Sequence, residues 1–366
     1  MKQQSLMFSL IFIAIFSLLL LDPSPVSAFR SVEKSTLSKA SRKSKPLSSS
    51  ARERQKDVTL HKKTYSKKVT SKKIARSYKR TSYKKRIYAQ KRSSERSSGK
   101  AYKAAIVMNA NTGEVLFKDN PRERLLPASL TKMMVTLVAM DKVRQGTIHL
   151  TDKISISKDA SWVEGSRINL RPGEVLTLEE LLEAVLIRSA NDAAVAVAEY
   201  IAGNQENFVR LMNAYAQKLG MKDTLFVNVH GLPSETGYDN VSSAYDMAIL
   251  ARELIKYPKV LQWSSKPAVK IRNGRYRITS TNKLLKSFRG LDGLKTGYYR
   301  KAGFNLAATA KRNDLRLIAV TLGSPTSKAR FNATRALLDA AFNYYQKKSI
   351  ESRKSLHKVK LSTSLK

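Results

Sequence analysis

The 366-residue sequence contains no cysteine. That excludes disulfides, a thiol nucleophile and any Cys-ligated metal. Histidine is almost as scarce. The four present are widely separated and give no metal-ligand spacing, so neither metal nor cofactor is expected. Negative charge is also short: 28 Asp and Glu stand against 68 Lys and Arg, a formal net charge of +40. Such an excess predicts attraction to anionic surfaces and says nothing about fold. No run reaches the ~20 apolar residues of a spanning helix. The longest, Leu6 to Leu21, comes after Lys2 and precedes the small residues Val26-Ser27-Ala28. Residues 1–28 therefore read as a signal peptide, either cleaved or retained as an anchor, which implies export across a membrane.

The next stretch, residues 29–100, is poor in apolar residues. It is mainly Lys, Arg and Ser and holds about half of the net charge. It cannot bury enough surface to offset the entropy of ordering, so a disordered basic linker is expected. Tyr65, Tyr78, Tyr83 and Tyr88 are interleaved with the charges. Basic residues with aromatics can bind nucleic acid. Behind a signal peptide, anionic envelope polymer is the better partner.

Residues 101–346 read as one folded domain. Ala104–Met108 and Val115–Phe117 form a strand pair around Asn111-Thr112-Gly113. Helices are expected from Ser129 to near Gly146, from Leu176 to Leu186 behind a Thr177–Glu180 capping box, from Asp192 to Ile201, from Gln205 to Leu219, and from Ser243 to a stop at Pro258. Asn273-Gly274 marks a hairpin. A second hairpin joins Gly303–Ala310 to Leu315–Leu322, and a last helix runs from Thr326 to Tyr345. Residues 347–366 form a basic tail. Strands at both ends of the domain with helices between them predict an α+β fold: an antiparallel sheet flanked by helices, with a helical subdomain.

Three short motifs carry chemistry. Ser129 and Lys132 lie one helical turn apart, just beyond Pro127, so a hydroxyl and an amine share a face. Ser189-Ala190-Asn191 and Lys295-Thr296-Gly297 come later in the chain, in that order. Together they supply what acyl transfer needs. Ser129 is the nucleophile. Lys132 is the base, provided burial and the neighbouring Lys295 cation keep it neutral. Ser189 can relay a proton, Asn191 can position Lys132 or a substrate carbonyl, and Gly297 lets a substrate backbone lie along an edge strand.

The motif set and its flanks resemble the serine D-alanyl-D-alanine carboxypeptidases, the low-molecular-mass penicillin-binding proteins of peptidase family S11. The likeness runs from about residue 102 to 346. It includes Asn111–Leu116, Gly165–Ile168, Ser189–Ala193 and Asp292–Gly297. It implies a β-lactamase/transpeptidase-like fold and removal of the terminal D-alanine from peptidoglycan stem peptides through an acyl-enzyme. It also implies covalent inhibition by β-lactams and a periplasmic or envelope location. It further implies an oxyanion hole from the N–H groups of Ser129 and Tyr298, and contact of Thr296 and Arg330 with the substrate carboxylate. His230 and Asp292 read as structural. Relatives that carry a C-terminal β-domain and a membrane-lying helix are longer at that end, which leaves the basic arm as the expected anchor. A β-lactamase would need a Glu-x-x-x-Asn signature between Ser189 and Lys295, and none is present. Two alternatives stay open: an endopeptidase of peptidoglycan cross-links, and a non-catalytic cationic envelope-binding protein.

Overall fold

The computed structural model describes residues 101–233 and 237–363, with side chains through Lys348. The expected signal peptide and basic linker lie outside the described residues. All described residues belong to one compact unit, Lys91–Lys366.

The chain opens with β1 (Ala104–Asn109) and β2 (Val115–Asp119), paired antiparallel. A single 3-10 turn (Ala128–Thr131) leads into α1 (Lys132–Arg144). Ten consecutive residues of α1, Lys132 to Asp141, are buried. A helix buried all round belongs at the centre of a domain, and α1 does serve as the axle of the helical layer. A small ribbon, β3 (Lys153–Ser155) and β4 (Val175–Thr177), surrounds α2 (Lys158–Trp162). The Thr177–Glu180 capping box starts α3 (Leu178–Glu183) as expected. The sequence-predicted helix from Leu176 to Leu186 is not continuous, however. Its start is strand β4, and its end, Ala184–Arg188, widens into a π-turn that stops at Ser189.

Next come α4 (Asn191–Ala202) and α5 (Gln205–Lys218), the latter capped by the Asn204 side chain. Ser243 caps α6 (Ala244–Leu254). Pro258, expected only as a stop, also occupies the first turn of a further helix, α7 (Pro258–Ser264). Proline fits there because the first helical N–H has no partner to lose. The Asn273-Gly274 hairpin is β5 (Ala268–Ile271) with β6 (Tyr276–Thr279). The chain closes with β7 (Leu291–Tyr299), β8 (Gly303–Arg312), β9 (Leu315–Ser324) and α8 (Ser327–Thr363). The last helix overruns its expected end at Tyr345, so its backbone stays helical through most of the basic tail.

The main sheet has the order β2-β1-β9-β8-β7, antiparallel throughout, and its opposite ends come from the two ends of the domain. Its central strands are covered on both faces. Ile106, Ile318 and Val320 join the large core with α1, α4 and α6, while Val107, Leu317 and Ala319 face Phe331, Leu338 and Phe342 of α8. That is why these strands read as unbroken apolar runs instead of alternating ones. Each large side chain so buried contributes about 1.5–3 kcal/mol. β7 remains an edge strand, placed against the turn that carries Ser129.

Candidate active site

Ser129 sits in the 3-10 turn, not in the helix proper. In such a turn residues three apart eclipse one another. This brings the Lys132 amine to Ser129, where Nζ donates to Oγ at 3.1 Å. The preceding Ala128 has φ +49, a left-handed conformation that costs a non-glycine residue roughly 1–3 kcal/mol. Packing on both sides holds it there. A Cβ on Gly297 would lie 2.7 Å from the Pro127 carbonyl and 3.1 Å from the Ser129 nitrogen. A Cβ on Gly231 would lie 2.1 Å from the Ala128 carbonyl. Only glycine on each side lets backbone close on the nucleophile turn.

Lys132 is 0% exposed and also donates to the His230 carbonyl at 2.6 Å. Burial brings its amine down to about 7, opposed by the nearby Asp192 carboxylate. The Lys295 cation, expected to share in this lowering, is not its source. Burial, the other cause expected, lowers it, and burial also pushes Lys295 itself well below the ordinary lysine range, helped by Lys132 and Arg330. His230 is held to about 4 by burial and by Lys132, so its ring is neutral. Its Nδ1 accepts the Leu232 N–H, which is a structural role, but its carbonyl lines the site.

The second motif arrives from the π-turn. Ser189 is buried with φ +65, and Asn191 opens α4. The Asn191 N–H donates to the Ser166 carbonyl and its Nδ2 to the Glu164 carbonyl, while Oδ1 is buried without a partner. Among the described residues neither Ser189 nor Asn191 hydrogen-bonds Lys132. Of the two roles expected for the Asn191 amide, positioning Lys132 has no hydrogen bond to support it, and positioning a substrate carbonyl stays open. Asp192 is the residue of this motif's flank that reaches Lys132, through its charge. Its carboxylate accepts the N–H groups of Ile168, Leu170 and Ala193.

The third motif lies on β7. Lys295 and Thr296 are buried, and Tyr298 is 53% exposed and stacked on Phe304. Arg330, on the last helix, is buried. It donates to the carbonyls of Gly297 (3.3 Å) and Asn305 (3.1 Å), and burial lowers it to about 10. Asp292 is structural as expected and pairs with Arg316 at 2.8 Å.

Two positions that hold the site together carried no motif. Thr281 ties the π-turn ahead of the second motif to the third: its N–H donates to the Ile187 carbonyl, and its hydroxyl meets that of Thr296 at 2.6 Å. Asn240 is buried and organises the floor. Its Oδ1 accepts the N–H groups of Val227 and Asn228, and its Nδ2 donates to Thr131 Oγ1 at 2.9 Å. Neither position stands out in the sequence, because which polar side chain is buried depends on tertiary packing. Among the described residues no group of acidic or histidine side chains could hold a metal.

A hydroxyl beside an amine lowered to about 7, next to an edge strand that a buried arginine backs, can form an acyl ester with a substrate that ends in an anion. Comparison with known proteins agrees. The D-alanyl-D-alanine carboxypeptidase family, peptidase S11, matches residues 90–326, and the chain belongs to it. The chain is 40% identical over 277 residues to the D-alanyl-D-alanine carboxypeptidase DacF of Bacillus subtilis, covering 74% of this chain and 70% of that one. It is 38% identical over 252 residues to DacC of Escherichia coli, covering 67% and 62%. Among solved structures, penicillin-binding protein D2 of Listeria monocytogenes in its ampicillin-bound form aligns with a TM-score of 0.61 at 32% identity, covering 66% of this chain and 98% of that one.

Proposed function

We propose that this protein trims the terminal D-alanine from peptidoglycan stem peptides, with Ser129 as nucleophile and Lys132 as base. The observation that carries this reading is the fully buried Lys132 amine, at about 7, lying 3.1 Å from the Ser129 hydroxyl. Neutral Lys132 takes the Ser129 proton as Oγ attacks the carbonyl carbon of the last peptide bond. The oxyanion meets the N–H groups of Ser129 and Tyr298. The C–N bond then breaks, and the proton passes to the departing amine, with Ser189 as the relay. Water, deprotonated by Lys132, frees the enzyme by cleaving the ester. Thr296 and Arg330 receive the terminal carboxylate, the arginine through a charge-assisted contact. A β-lactam takes the first half of the same path and remains as an ester on Ser129.

Residues 1–28 act in this reading as an export signal, and residues 29–100 as a basic arm drawn to anionic envelope polymer outside the inner membrane. Supporting the arm's role are its composition and the net charge of +40.

The test is digestion of purified peptidoglycan, then mass analysis of the muropeptides. Loss of one terminal alanine is the expected result; loss of cross-links would instead make the protein an endopeptidase. Ser129→Ala is expected to abolish labelling by fluorescent penicillin, and Lys132→Arg to slow it by orders of magnitude, because arginine stays protonated. Labelling of the Ser129→Ala variant would remove Ser129 from the nucleophile's role. A protein that binds peptidoglycan but neither digests it nor takes up penicillin would be the non-catalytic envelope binder.

A further inference from the structure

A second charged feature lies beside the catalytic cleft and takes no part in the chemistry above. From Ser265 to Asn313 thirteen residues are Lys or Arg, and Asp292 is the single acidic residue. Some of these cations are matched. Lys266 pairs with Glu183 and Arg272 with Glu174, both at 2.6 Å. Arg277, Lys283 and Lys286 have no ion pair among the described residues, and they line one concavity of about 400 Å³ together with Thr279 and Ser280. All three cations are exposed. Lys270 adds to the charge, since it stands directly opposite Arg277 in the β5–β6 ladder.

Like charges facing each other across a ladder are destabilising. A solvated surface would spread such cations over convex ground, whereas here they gather around a cavity whose wall also offers hydroxyls. The segment that shapes this cavity is fixed, because Thr281 between its lining residues is bonded to Ile187 and Thr296.

We infer that this cavity is an anion-binding site for a phosphate group, of the kind carried by a phosphodiester polymer. An arginine fork and two ammonium groups match a multiply charged oxyanion with several acceptors better than a lone carboxylate, which one arginine satisfies. Phosphate bound there would lie next to the wall formed by Thr296, so a phosphorylated polymer would be held alongside the catalytic cleft. The inference does not rest on the peptidase chemistry and is tested without it.

The experiment acetylates the lysines of the full-length chain with an amine-reactive ester, with and without inorganic pyrophosphate at constant ionic strength. Peptide mass spectrometry then reads each lysine separately. Pyrophosphate is expected to protect Lys283 and Lys286 several-fold more than the exposed Lys118 and Lys222. Arg277→Gln is expected to abolish this selective protection and leave Lys118 and Lys222 unchanged. Equal protection of all four lysines would overturn the site, as would full protection in the Arg277→Gln variant. Succinate in place of pyrophosphate is expected to protect weakly; equal protection would overturn the phosphate assignment in favour of a carboxylate.

Discussion

Lys132 is protonated in water and cannot remain so at its place in the fold without cost, because among the described residues no carboxylate hydrogen-bonds its ammonium. The unfolded chain keeps a proton on this amine up to about 10.5, and the folded chain only to about 7. Between those values the unfolded state binds more protons, so this group makes the fold more stable as pH rises. The same shift sets the chemistry. Acylation by penicillin is expected to be flat above about 7 and to fall about tenfold per pH unit below it; stopped-flow acylation rates across pH check this. An acid limb near the ordinary lysine value would mean that the base is fully solvated. Gly297 makes a second case. With a Cβ 2.7 Å from the Pro127 carbonyl, Gly297→Ala must push β7 away from the Ser129 turn. Acylation is expected to drop about 100-fold with unchanged circular dichroism, as for a small misplacement of reacting groups. The candidate catalytic side chains were legible in the sequence, because acyl transfer demands those residue types. Burial as a cause of the Lys132 shift was expected as well; that Lys295 takes no part in it was not, since that depends on the packed core.

At the scale of elements, periodicity and caps located most helices and strands, and the failures have physical reasons. Proline ends one helix and begins the next equally well, so α7 was invisible behind Pro258. The stretch from Leu176 to Leu186 has helical spacing throughout, yet pairing with β3 captures its first residues, and the π-turn delivers Ser189 at φ +65. A π-turn commonly marks a functional position. The loop carrying His230 and Asn240 had no periodic signal at all. Its importance is testable through Asn240→Ala, which strands the N–H groups of Val227 and Asn228 and frees Thr131. A loss of about 2–3 kcal/mol is expected for such unsatisfied groups, read by chemical denaturation, together with slower acylation as the His230 carbonyl leaves Lys132. Unchanged stability would show that water replaces the amide.

For the whole molecule, all three motifs and every strand of the main sheet lie beyond residue 100. A chain beginning at Ala101 is expected to keep its turnover on a small soluble peptide and to sediment less with insoluble sacculi. The difference from the full chain should shrink as salt rises, since the Debye length falls from ~10 Å at 0.1 M to ~3 Å at 1 M. D-alanine release and co-sedimentation at two salt concentrations measure both. Lost turnover would make the arm part of the catalytic domain, and unchanged sedimentation would reduce it to a linker.

The position of β7 carries one more consequence. An enzyme that grips peptides along the border of its sheet must leave that border unfinished, and an unfinished border is also a template on which another copy of the same chain could grow. Sheet proteins commonly blunt such borders with bulges or lysines on the strand itself. β7 has a bulge between Leu291 and Gly293, at the end away from Tyr298, and its Lys295 is buried and cannot repel a neighbour. Along the rest of the strand, mutual repulsion of like-charged molecules adds protection. A chain with a formal charge of +40 is well supplied with it. The same excess of positive charge would then keep the chain colloidally stable.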